Sequence, residues 1–409
     1  ADSFAQLLTG ETARNLIRVF FLRENLKGQA PDSSDVRRVH VVGAGTMGGD
    51  IAGLCAIKGL RVTLGDVDNR VIADAVKRCA AMAKAKHMKP AEVRAALDRL
   101  IPDPNGDGVA HAELVIEAGP EKAEVKQKIY GELEPRMKAD AVLATNTSSL
   151  PLDQLAKSLD RPERFVGIHF FNPVAKMDLV EVVSHDGADG TALEQARGFL
   201  GRIGKLPAPV RTAPGFLVNR CLTPYLMEAI IMMDEGVKPE TIDRAAERFG
   251  MPMGPIELAD QVGLDIALSV ADVLQERLDR PIPETPDWLR RKVDGGDLGR
   301  KSGRGFYEWK DGKADKDDDA PDPGEGVTDR LVMPMLDACA TCLREGVVGD
   351  EDVLDGAMIF ATGFAPFRGG PMHYARERGF GEVADALAGL RENHGDRFAP
   401  DSYWTERGD

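Results

Sequence analysis

Three short stretches hold residue types that can do chemistry together. In VHVVGAGTMGGDIA, Gly43, Gly45 and Gly48 spell G-x-G-x-x-G directly after a strand-like run and at the opening of a helix-like one. The first glycine permits a tight turn, the second lets a pyrophosphate approach the backbone, and the third lets helix pack on strand. The helix start behind them offers unpaired N–H groups and a positive dipole end to phosphates. The next strand-like run ends in Asp66, 18 residues after Gly48, where a carboxylate can accept hydrogen bonds from a ribose diol and repel a 2′-phosphate. Together they point to NAD rather than NADP; the plainer reading is that Asp66 starts the turn in GDVDN.

The second stretch places His169 at a strand end in GIHFFNP, with Glu181 the only acid in the following LVEVV. Strand ends line the ligand crevice of an open parallel sheet, and an imidazole oriented by a carboxylate is a usual general base. An acid among apolar neighbours needs a partner, which His169 would supply. Alternatively Glu181 faces solvent from an edge strand, and spacing alone does not choose between the two. The third stretch is ATNTSSL, where Ser148 and Ser149 follow another strand end. Hydroxyls there also cap helices, the expected role for at least one of them. Asn219 in PGFLVNR reads, by itself, as a helix-start residue.

The elements that must position these residues alternate. Runs at 38–42, 61–66, 113–117, 141–145, 165–169 and 179–183 read as strands, with helical segments between most of them. That is the signature of βαβ units and an α/β, Rossmann-like, doubly wound and mostly parallel sheet. The domains expected are a leading amphipathic helix and linker (1–36), a nucleotide-binding domain (37–213), a first helical domain (214–310), an acidic linker (311–326) and a second helical repeat (327–409). In the leading helix Thr9 is the candidate N-cap, and Ala13, Leu16, Ile17, Phe20 and Phe21 form an apolar face that must dock. The repeat is legible because RCLTPYLMEAIIMMDEGV (220–237) matches RLVMPMLDACATCLREGV (330–347) at a constant offset of 110, with MPMGP (251–255) echoed by FRGGP (367–371). Asn219 then corresponds to Asp329, so the second copy lacks the amide. It is expected to be structural, packed on the first as an internal pseudo-dimer that leaves the module monomeric.

Length and charge exclude several classes. At ~150 residues per domain, 409 residues suggest two or three domains. A net charge of −15 argues against nucleic acid and anionic membrane surfaces as partners. Residues 311–325 hold seven acids and two lysines, a third of that net charge, in a stretch with no apolar content to bury. The lysines of KRCAAMAKAKHMK (77–89) could meet a ligand's phosphates or simply form a solvated face. Five cysteines make no disulfide framework, and Cys339 and Cys342, a lone C-x-x-C on a helix, read as buried apolar residues rather than metal ligands, so no metal is expected. No apolar run approaches the ~20 residues of a membrane span, and the start lacks a signal peptide's order, so a cytoplasmic location is expected.

With GAGTMGGDIA, NTSSL, GIHFFNPVAKMDLVEVV and PGFLVNR in order, the chain resembles the 3-hydroxyacyl-CoA dehydrogenase family over about 38–310. TARNLIRVFFLRENLK and the second helical copy extend the likeness to the C-terminal, dehydrogenase part of multifunctional fatty-acid β-oxidation enzymes, the α subunit of the fatty acid oxidation complex. The resemblance implies NAD-dependent oxidation of (3S)-3-hydroxyacyl-CoA to 3-oxoacyl-CoA. It also implies an enoyl-CoA hydratase domain upstream, hence a fragment or natural C-terminal half, and a thiolase subunit as partner. Residue by residue it makes His169 the base, Glu181 its carboxylate, and Ser148 and Asn219 hydrogen-bonders of the reacting oxygen. Ser148 and Asn172 would lie near the nicotinamide, Glu121 and Lys126 on the cofactor's ribose and phosphate side, and Lys301 would reach towards cofactor and substrate. Gly119-Pro120 departs from the family's apolar pattern and bears on the loop holding Glu121. The alternatives are a catalytically idle scaffold of a β-oxidation complex and a dehydrogenase of free hydroxy acids.

Overall fold

The computed structural model describes residues 10–278 and 281–406, so Thr9 lies outside the described residues. Two compact units emerge, one of residues 23–212 and one from residue 213 onward that also takes the chain up to residue 22.

The 23–212 unit is built on eight strands: β1 (Arg38–Val42), β2 (Arg61–Gly65), β3 (Leu100–Pro102), β4 (Leu114–Glu117), β5 (Val142–Thr145), β6 (Phe165–Phe170), β7 (Leu179–Ser184) and β8 (Leu206–Arg211). Their order is β3-β2-β1-β4-β5-β6-β7-β8. The first six run parallel, and β4, β5 and β6 are buried along their whole length, as expected for a sheet covered on both faces. β7 runs antiparallel to β6, and β8 runs parallel to β7. The reversal follows from chain length: only residues 171–178 join β6 to β7, fewer than the dozen or so a parallel crossover needs.

Two strands of this sheet, β3 and β8, were not expected from the sequence, and both are edges. LPAPVR carries Pro207 and Pro209, which demote a strand in sequence. Two residues apart, both prolines direct their donor-less nitrogens to one side, which an edge strand can turn away from its single neighbour.

In the other unit the four helices Val218–Asp234, Pro239–Phe249, Pro255–Val262 and Leu264–Arg277 are followed later by Val327–Arg344, Glu351–Thr362, Pro371–Arg378 and Phe380–His394. The likeness extends to buried devices. Asp243 accepts the N–H groups of Ile256 (2.8 Å) and Glu257 (3.3 Å) at a Gly-Pro helix start, and Asp355 accepts those of Met372 (2.7 Å) and His373 (3.2 Å) at the other. The copies also exchange ion pairs reciprocally. Arg220 of the first meets Glu345 of the second at 2.5 Å, and Arg330 of the second meets Glu235 of the first at 2.6 and 2.7 Å. Reciprocity of this kind is what a two-fold isologous interface requires, here within one chain. Asp329, at the position matching Asn219, is held by Arg378 through two 2.7 Å hydrogen bonds. Cys221, Cys339 and Cys342 are buried free thiols.

Two expectations are corrected. The acidic stretch after residue 310 is docked rather than merely solvated. It opens in the hairpin Glu308–Lys310/Lys313–Asp315, and Lys316 then reaches Asp243 (3.1 Å), Glu247 (3.2 Å) and Glu257 (2.8 Å). Burial alone would pull that lysine down, but Asp243 and Glu257 outweigh it and hold it above the usual lysine range. Arg244 and Arg248 bind Asp322. Charge pairing thus supplies what apolar content does not.

The leading helix, Glu11–Gly28, does not dock through its apolar stripe: Leu16, Ile17, Phe20 and Phe21 are 49–63% exposed. Its contacts come from another face. Asn15 donates to the Phe367 carbonyl at 3.0 Å, and Arg18 pairs with Asp355 at 2.9 Å and Asp352 at 2.6 Å. Leu22 and Leu26 on the same helix are buried. Each copy's buried capping aspartate therefore receives one cation from outside the repeat, Lys316 or Arg18.

Candidate active site

The glycine turn lies where the strand order reverses, between β1 and β4, the ligand-binding crevice of doubly wound sheets. Gly43 has φ +94°, and a Cβ there would lie 2.5 Å from the Ala118 carbonyl oxygen. A Cβ on Gly48 would lie 1.9 Å from the Gly43 carbonyl oxygen. Both positions therefore exclude side chains. Gly45 differs: a Cβ would meet no protein atom within 4 Å. The open side of Gly45, at the N-cap of the helix Thr46–Ile57, which no side chain caps, is the cradle a pyrophosphate needs. Arg78 donates to the Ala44 (3.1 Å) and Gly45 (2.8 Å) carbonyls, holding the turn. Asp66, just past β2, accepts the N–H groups of Ala44 (2.7 Å) and Asp68 (3.0 Å), which orients its carboxylate beside the turn. These residues fit a dinucleotide.

His169 and Glu181 are directly opposite partners in the antiparallel β6–β7 pair. Nδ1 and Oε2 are 2.6 Å apart, with His169 5% and Glu181 0% exposed. The edge-strand alternative for Glu181 fails because β8 lies outside β7. A carboxylate only accepts, so the hydrogen of this bond sits on Nδ1. The Phe171 ring packs on the imidazole with centroids 4.6 Å apart, fixing its plane. Asn172 follows, itself exposed, on the next loop, and the buried Lys205 ammonium donates to the loop carbonyls of Val174 (2.6 Å) and Met177. Burial pulls Lys205 down to about 8.

The loop after β5 is tied to the loop after β4. Glu121 Oε1 accepts from Thr147 Oγ1 (2.5 Å), the Ser148 N–H (2.8 Å) and the Ser149 N–H (3.2 Å). Burial would raise this carboxyl, but Lys126, Thr147 and the Ser148 amide outweigh it and hold it below the usual range. Gly119-Pro120 thus leaves Glu121 well anchored. Lys126 differs from expectation: it is 1% exposed, with its ammonium on Glu117 (2.9 Å) and Glu121 (3.3 Å). Ser148 is half-buried beside Glu121, to which its Oγ comes within 3.3 Å. Asn219 and Lys301 belong to the other unit. Asn219 lies in the first turn of the helix Val218–Asp234, and Lys301 pairs with Asp265 at 2.6 Å. Sequence reasoning missed Glu117, Thr147 and Arg78; the one available signal was an acid closing the otherwise apolar run LVIE.

Two family models match successive segments: 3-hydroxyacyl-CoA dehydrogenase, NAD binding domain, over residues 38–213, and 3-hydroxyacyl-CoA dehydrogenase, C-terminal domain, over 215–309. The chain belongs to the 3-hydroxyacyl-CoA dehydrogenase family. Like its family, it is an NAD-dependent oxidoreductase. Among solved structures, the 3-hydroxybutyryl-CoA dehydrogenase of Escherichia coli K12 is 28% identical with a TM-score of 0.81, covering 91% of this chain and 98% of that one. The (S)-3-hydroxybutyryl-CoA dehydrogenase of Ralstonia eutropha is 35% identical with a TM-score of 0.64, covering 68% and 100%. The dehydrogenase part of multifunctional enzyme 1 from C. elegans, 24% identical with a TM-score of 0.69, covers 98% and 99% and shares the fold. No helix among the described residues is long and apolar enough to cross a membrane.

Proposed function

We propose that this dehydrogenase oxidises (3S)-3-hydroxyacyl-CoA to 3-oxoacyl-CoA in fatty-acid β-oxidation, with His169 and Glu181 as its proton-handling pair. The carrying observation is the 2.6 Å contact between Nδ1 of His169 and the buried Glu181 carboxylate. With Nδ1 engaged as donor, Nε2 is the lone-pair nitrogen, and it takes the proton of the 3-hydroxyl. NAD, when bound, accepts the hydride that leaves C3. Glu181 then faces an imidazolium and stabilises it; in reduction His169 returns the proton to the new alkoxide. Ser148, on the loop that Glu121 pins, donates to the reacting oxygen. Asn172 serves the nicotinamide side and Glu121 the ribose side. The resemblance adds Asn219 as a second donor to that oxygen and Lys301 as a cation for cofactor and substrate. The same resemblance supports an upstream hydratase domain and a thiolase partner as proposals.

The direct test is absorbance-monitored NADH oxidation with acetoacetyl-CoA. Consumption that requires the CoA ester supports the proposal; consumption with free acetoacetate alone overturns the substrate class, and none at all overturns the activity.

Asp66 carries the preference for NAD. Removing a charge-assisted hydrogen bond to the ribose diol costs about 1.5–3 kcal/mol, roughly 10–100-fold in affinity. Asp66→Ala is therefore expected to lower kcat/KM for NAD by about that factor relative to NADP, which is no longer repelled, while both share the loss of the Ala44 anchor. An unchanged NAD/NADP ratio would remove Asp66 from the ribose site.

A further inference from the structure

Glu117 closes β4 and is fully buried. Its Oε1 accepts from the Gly119 N–H (2.6 Å) and Lys126 Nζ (2.9 Å), and its Oε2 from Thr145 Oγ1 (2.8 Å), Tyr130 Oη (2.9 Å) and Lys126 Nζ (3.1 Å). These partners come from three segments: the loop after β4, the helix Ala123–Leu133, and the end of β5. A buried carboxylate is costly unless fully satisfied, and this one is satisfied only by joining all three.

The consequences reach the candidate site along two branches. Through Gly119 it braces the loop that backs onto the glycine turn, where Ala118 and Gly119 lie within 3.1 Å of a Cβ built on Gly43. Through Lys126 it governs Glu121. One enclosed ammonium stands between two carboxylates, 2.9 Å from Glu117 and 3.3 Å from Glu121. Glu121 spends its other oxygen on Thr147, Ser148 and Ser149. If Glu117 loses its charge, Lys126 keeps a single counter-ion and draws Glu121 inward, off the serine loop. If Lys126 loses its charge, the two carboxylates repel and Glu121 moves outward.

We infer that Glu117 is a positioning residue, acting through Lys126 and Glu121 to set both the dinucleotide's ribose-side contacts and the placement of Ser148. The inference rests on the dehydrogenase reading for what Ser148 does, but its cofactor branch does not.

The test uses Glu117→Gln and the charge-neutral pair Glu117→Gln/Lys126→Met, with NADH affinity by fluorescence titration, kcat and KM for acetoacetyl-CoA, and melting temperature. Glu117→Gln is expected to weaken NADH binding about 10-fold and lower kcat by about 10–100-fold, the scale of small misplacements at a reacting centre. It also loses stability, because it leaves a buried ammonium short of a partner. The double variant removes that unpaired charge and is expected to regain most of the melting temperature, while NADH affinity and kcat stay low because Glu121 has lost the ammonium that holds its second oxygen. A double variant with parental NADH affinity and kcat would show Glu117 to be a packing element only. Parental protein that binds NADH but leaves acetoacetyl-CoA unreduced overturns the catalytic reading; the affinity comparison still decides the role of Glu117.

Discussion

His169→Gln is expected to bind NADH with the parent's affinity and to reduce acetoacetyl-CoA about 10²–10⁴-fold more slowly, the scale for losing a general acid–base group. Glutamine keeps most of the volume and can still hydrogen-bond Glu181, so the β6–β7 pairing that sets the register survives. It cannot exchange a proton with the substrate oxygen. Glu181→Gln separates orientation from charge. An amide opposite Nδ1 can present its NH2 as donor, which forces the imidazole hydrogen onto Nε2 and removes the acceptor the hydroxyl needs. A wrong tautomer of this kind costs about 10⁴-fold in the comparable carboxylate–imidazole pair of serine proteases. Both variants should lose kcat with little change in NADH affinity. Near-parental turnover by either, with intact NADH binding, would remove the pair from the mechanism.

Arg18→Ala is expected to destabilise the helical unit by about 3–5 kcal/mol near pH 8, and by less near pH 5.5. Asp355 is fully buried, and breaking such a pair from one side leaves an uncompensated charge. The pair with the half-exposed Asp352 adds little. Burial pushes the Asp355 carboxyl up to about 7, against the opposing Met372 amide and Arg18. An unfolded aspartate titrates near 3.9, so between these values the folded chain holds a proton that the unfolded chain has lost. Stability from this group therefore falls as pH rises from about 4 to about 7. Without Arg18 the folded pKa climbs further, the window widens upward, and the loss grows with pH. Thermal unfolding of parent and variant at the two pH values reads this directly. Equal losses at both, or an Arg18→Ala/Asp355→Asn variant no more stable than Arg18→Ala, would contradict it.

Much of the site was legible, because its residue types sit at strand ends and the strands are spelled in apolar runs. Gly43, Gly45, Gly48 and Asp66 declare themselves by spacing. His169 and Glu181 declare their types but not their pairing, since a one-residue slip would put them on opposite faces. The reversal of β7 was legible too, had the eight residues 171–178 been weighed against the length of a crossover. Glu117 and Lys126 were not. A strand-closing acid and a helical lysine look like surface residues until the fold encloses both.

The leading helix shows the limit of periodicity. Leu16, Ile17, Phe20 and Phe21 mark its most apolar stripe, yet Asn15, Arg18, Leu22 and Leu26 face the protein. What decided was a buried carboxylate at Asp355, a feature of residues far along the chain. The acidic stretch after residue 310 teaches the same lesson through Lys316 and Asp243.

By itself, then, the sequence determined the nucleotide turn, the alternation that builds the sheet, the duplicated helices and the residue types of the proposed proton-handling pair. All of these depend on neighbours within one or two elements, where spacing maps directly onto geometry. Only the tertiary structure decided that His169 meets Glu181, that Glu117 anchors Lys126 beneath Glu121, that Arg220 and Arg330 exchange partners, and which face of the leading helix is used. Each of those is a charge seeking a counter-charge across the fold. Burial raises the cost of leaving such a group unpaired, and which groups are buried is a property of the folded chain.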